Sequence, residues 1–60
     1  MTKYLAMELV EGLVEPESEQ QVLDAWQYLV DTGAVWGLPG WYGRTANTLI
    51  EAGLIQEPLF

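Results

Sequence analysis

Leu9-Val10-Glu11-Gly12-Leu13-Val14 is a phrase that the chain uses three times, returning as Leu29-Val30-Asp31-Thr32-Gly33-Ala34-Val35 and as Leu49-Ile50-Glu51-Ala52-Gly53-Leu54-Ile55. In each, an apolar-periodic stretch runs into glycine and an apolar residue follows at once. Glycine takes the left-handed conformation that ends many helices, and the apolar residue after it packs back on the last turn. The phrase predicts three helix ends. An internal duplication is the alternative, and the unlike segments before the three endings speak against it.

Working outward from these ends gives the starts. Thr2 can cap a first helix over Lys3–Glu11, with Leu5 and Leu9, joined by Tyr4 and Met7, as its apolar stripe. Pro16 closes the first linker, and Ser18 with Gln21 three residues later has capping-box spacing. Glu17 and Glu19 suit the positive end of the helix dipole. The second helix then spans Glu19–Thr32, where Val22, Ala25, Trp26, Leu29 and Gly33 follow helical spacing and Leu23 and Val30 widen the stripe. So broad an apolar face marks the central helix.

Between Gly33 and Thr45 the pattern changes to Ala34-Val35-Trp36-Gly37-Leu38-Pro39-Gly40-Trp41-Tyr42-Gly43. Leu38-Pro39-Gly40-Trp41 fits a type II turn, proline presetting one φ and glycine accepting the positive one. A lone hairpin is marginal in water, so the expectation is an aromatic loop. Thr45 can cap a third helix over Ala46–Ala52, with Ala46, Leu49 and Ile50 inward, and Pro58 prevents helical continuation in the tail, whose Leu59 and Phe60 either dock or hang free. The fold class expected is all-α: one compact three-helix domain over residues 1–60, with an aromatic Gly/Pro-rich loop between helices two and three.

Composition bounds the function. Half of the 60 residues are apolar, which argues against disorder, yet a domain this small buries only about 60% of its unfolded surface. Tight packing, self-association or a partner is therefore expected. There is no cysteine and no histidine, which removes disulfides, thiolate metal sites and imidazole catalysis together. Glu8 and Glu11 share a helix face as any exposed pair does, no calcium loop is present, and the glycine stretches lack the lysine of a phosphate loop. The expectation is a chain with no catalytic, metal or cofactor site. Apolar runs are far shorter than a membrane span, and Met1-Thr2-Lys3 lacks the stretch of a signal peptide, so a cytoplasmic setting is expected. Nine acids against Lys3 and Arg44 give a net charge of −7, which repels nucleic acid and anionic membranes and attracts a basic protein surface.

Two clusters stand out as candidate partner-binding residues. Trp36, Trp41, Tyr42 and Arg44 combine the residue types enriched where proteins grip one another. The plainer explanation, and the weightier one, is that these tryptophans complete a core otherwise too small while Arg44 neutralises nearby acids. Glu15, Glu17 and Glu19 could steer a basic partner or mimic nucleic-acid phosphates; a solvated linker that also serves a helix start accounts for them more simply.

Met7–Glu19, Ala25-Trp26-Gln27-Tyr28-Leu29 and Gly40-Trp41-Tyr42-Gly43-Arg44-Thr45-Ala46 resemble small uncharacterised proteins encoded by tailed bacteriophages. That resemblance implies no catalytic residues, and it implies a setting: an infected bacterium, where small acidic proteins bind and block host proteins. The expected function is a non-enzymatic interaction module that binds and modulates a host macromolecule such as a defence nuclease or the transcription machinery. Trp36, Trp41, Tyr42 and Phe60 would anchor it, and Glu15, Glu17 and Glu19 would steer it. The alternative is a small structural homo-oligomer, or a virion or scaffold component, whose loop aromatics pair with copies of themselves.

Overall fold

A computed structural model describes residues 1–58. The described residues form three α-helices, α1 (Lys3–Glu11), α2 (Glu19–Asp31) and α3 (Gly40–Glu51), with a 3-10 turn over Ala34–Gly37 between the last two. Each helix ends where the repeated phrase predicts. Gly12, Gly33 and Gly53 hold φ of 76°, 77° and 76°, the three positive values of the described backbone. At all three ends the glycine N–H reaches back, to Leu9, Val30 or Ile50, and at the first and third the next N–H reaches Glu8 or Leu49, satisfying carbonyls the helix leaves without partners. At the second end Thr32 takes over: its hydroxyl donates to the Tyr28 carbonyl at 2.9 Å and accepts the Ala34 N–H at 3.4 Å, which turns the chain into the 3-10 segment.

The starts of α1 and α2 follow their caps. Thr2 Oγ1 accepts the Leu5 N–H at 3.1 Å, and Ser18 Oγ accepts the Gln21 N–H at 3.2 Å. Gln21 reaches one residue further back than a capping box requires, accepting from the Glu17 N–H at 2.7 Å.

The start of α3 differs from expectation. The helix begins at Gly40, six residues before Ala46, and Thr45 lies inside it, not at its cap. Leu38 and Pro39 are extended, as the residue before proline prefers, and the Pro39 carbonyl accepts the Tyr42 N–H at 3.0 Å to open the first turn. Gly40 keeps a negative φ, so no type II turn forms. Side-chain packing explains the longer helix: from that first turn Tyr42 enters the core and Trp41 stacks on it, outweighing the poor helix propensity of Gly40 and Gly43.

α2 is central. α1 lies along it, while α3 approaches through the 3-10 turn and through large aromatic side chains. The core is Ala6 and Leu9 of α1; Ala25, Trp26, Leu29 and Val30 of α2; Val35; Tyr42 and Ala46 of α3; and Ile55 beyond it. Small Ala6, Ala25 and Ala46 allow close backbones, and Trp26 and Tyr42 fill what remains.

The α1 stripe is corrected. Ala6 and Leu9 face inward with Met7 and Val10 beside them, whereas Tyr4 is 75% exposed and Leu5 is also exposed. Packed chiefly against α2, the nine-residue helix buries a narrower arc, around Ala6 and Leu9, than the sequence pattern suggests. Leu13, at 70% exposed, and Leu54 likewise do not pack back after their glycines; the hydrogen bonds form and the apolar contact does not. Past Gly53 the chain is held by Ile55, which is buried, and by Gln27, whose amide accepts the Gln56 N–H at 2.7 Å and donates to the Gln56 carbonyl at 3.0 Å. The docking of Leu59 and Phe60 lies outside the described residues.

Candidate functional site: an aromatic and acidic surface

Trp41 and Tyr42 open α3 with their rings stacked at 4.1 Å and 30°. Trp26, one helix away, meets Trp41 edge-on at 6.3 Å and 82°, and Tyr42 at 5.9 Å and 59°. These offset and edge-on arrangements suit the ring quadrupoles. Trp26 had no distinguishing mark as a site residue in the sequence, being one apolar position of a helical stripe; it is the floor on which the other two rest.

The expected aromatic cluster is divided. Tyr42 is 2% exposed and belongs to the core, so it presents no free face to a partner. Trp41 is 38% exposed. Trp36 is 51% exposed, and its ring leans on Gly43, close enough that a Cβ there would meet it at 3.4 Å. Gly43 and Trp41 are two positions apart on α3, which is about 200° around the axis, so the two exposed tryptophans lie on different sides of that helix. Arg44 is exposed, with its guanidinium folded back toward Gly40.

The acids are also placed. Glu15 and Glu17 are exposed in the linker, and Glu19 is exposed on the first turn of α2. The acid that joins the aromatic group is another one, Glu11 at the end of α1, whose Oε2 accepts the Tyr42 hydroxyl. Burial, then this hydrogen bond and the nearby negative charge, push the Tyr42 phenol up from 10.0 to about 12. A contact across 31 residues leaves no sequence signal beyond the presence of a carboxylate on α1 and a phenol elsewhere.

Among the described residues no group of three or more His, Cys, Asp or Glu side chains is gathered as metal ligands, and no pocket opens. No helix is long and apolar enough to cross a membrane. What the surface offers chemically is a supported indole, a carboxylate fixed by a buried hydroxyl and, further along the chain from that carboxylate, an exposed acidic linker.

A family model covers residues 2–58, nearly the whole chain, and the protein belongs to that family, described as a domain of unknown function, DUF7417. No curated protein and no solved structure matches it.

Proposed function

We propose that the chain is a non-enzymatic protein-interaction module that grips a basic surface on a macromolecular partner and modulates it. The observation that carries this is the exposure of two tryptophans, Trp36 and Trp41, in a chain of 60 residues with a net charge of −7. A small domain that needs apolar burial gains by hiding both rings, and leaving them wet fits a role in contact with something else. Glu15 and Glu17 on the exposed linker and Glu19 on the first turn of α2 would raise the encounter rate with a basic partner and make it salt-sensitive. The setting proposed is a bacterial cytoplasm during phage infection, with a host protein of the defence or transcription machinery as the partner; the resemblance to phage-encoded proteins supports it.

Self-association is a second reading, favoured by Tyr4 and Leu5 lying exposed on α1. Light-scattering mass across a concentration series in low and high salt separates the two. A monomer that captures a partner from bacterial lysate, and loses it in Trp36→Ala and Trp41→Ala variants that still fold, supports the module. An oligomer that survives high salt and captures nothing overturns it in favour of the structural homo-oligomer.

A further inference from the structure

The Trp41 side of α3 has a chemistry of its own. Tyr42 is buried and cannot turn freely, so its hydroxyl holds the Glu11 carboxylate in one place; that uses one lone pair of about four, and Glu11 itself is exposed to water. Trp41 lies stacked against that same Tyr42 and keeps 38% of its surface in water. One buried phenol thus carries a carboxylate on its hydroxyl and a partly exposed indole on its ring, the two kinds of group that a planar cation prefers. A guanidinium stacks on the ring and pairs with the carboxylate at once, and being more weakly hydrated than an ammonium it loses less on leaving water. The chain's own Arg44 does not fill this place, since its guanidinium turns toward Gly40.

We infer that Trp41 and Glu11 together form a seat for an arginine side chain presented by a basic protein partner. This rests on the interaction-module reading and gives its partner a chemistry. The nine acids of the chain favour a cationic visitor over a second copy, which would bring a further −7 against it. Preorganisation by Tyr42 lowers the ordering cost of the carboxylate, so the seat keeps its shape before anything arrives.

The test is an NMR titration of the intact chain with N-acetyl-arginine amide, following backbone amides and indole N–H groups, with N-acetyl-lysine amide as the comparison. Saturable shifts centred on the Trp41 indole and Glu11, stronger for arginine than for lysine, are expected. Glu11→Gln keeps an acceptor for the Tyr42 hydroxyl and removes the charge, and it should weaken the arginine response about 1.5- to fivefold, the range that an exposed ion pair carries. Glu51→Gln removes the same charge about 15 Å along α3 and should leave the response unchanged. Shifts centred on Glu15, Glu17 and Glu19 with Trp41 unmoved, or equal responses from both variants, would overturn the seat while leaving the wider module standing. A seat that responds in a chain that captures no partner would stand while the wider reading fell.

Discussion

A phenol that lies in the core and donates its proton to a carboxylate has reason to stay protonated. Tyr42 ordinarily titrates at 10.0 and is raised to about 12, so its contribution to stability is complete below pH 10 and is lost as pH rises through 12. Thermal unfolding midpoints should hold steady to about pH 10 and then fall, and in Tyr42→Phe the part of that fall due to this group should vanish, at a cost near neutrality of about 1 kcal/mol for the hydrogen bond. The two exposed indoles should separate in the same assay. Trp36→Ala removes a ring half in water and should cost under about 1 kcal/mol, whereas Trp41→Ala opens the stack over Trp26 and Tyr42 and should cost about 2 kcal/mol. Denaturant midpoints that rank the two the other way would contradict the division of the cluster. At this scale the sequence is a partial guide. It marks Trp41, Tyr42 and Glu11 as residues with capacity, but the partnership of Glu11 with Tyr42 depends on how α1 and α3 meet, which no local pattern encodes.

Helix ends are governed by residues within one turn, and they are therefore legible. Gly12, Gly33 and Gly53, with Thr2 and Ser18 at the starts, locate five boundaries because each needs only a backbone conformation or a short hydroxyl reach. The sixth, at Gly40, is set by tertiary contact. Pro39-Gly40 looks like a turn, and Gly43 looks like another interruption, until Trp36 is seen lying on Gly43 and Tyr42 in the core. Two glycine substitutions test this distinction with opposite signs. Gly43→Ala places its methyl in ordinary contact with the Trp36 ring and improves helix propensity, so it should stabilise by about 0.5–1 kcal/mol. Gly12→Ala meets no neighbour but must hold φ near 76°, so it should destabilise by about 1–2 kcal/mol through backbone strain alone. Thermal denaturation of the pair reads both signs in one experiment.

Taken whole, the described residues span 28 × 22 × 19 Å and carry acids on each of the three α-helices as well as on the first linker. With a net charge of −7, self-repulsion opposes compactness, and moderate salt should raise the unfolding midpoint by screening it. A midpoint that falls between low and 0.15 M salt would point instead to attractive pairs holding the fold. Beside buried Ile55, the chain past α3 is tied down by Gln27, which is steadied by Asp31 at 3.0 Å and pairs with the backbone of Gln56. Gln27→Ala should expose the Gln56 amide to rapid hydrogen exchange while the amides in the middle of α2 stay protected. The crossing of Trp26 and Trp41 has an optical consequence. Two indoles at 82° and 6.3 Å share their excited states, so the folded chain should display a paired aromatic signal of opposite signs in circular dichroism, overlapping the helical bands. The domain thus carries its own light-readable gauge of whether α3 is seated on α2, and that gauge needs no added label.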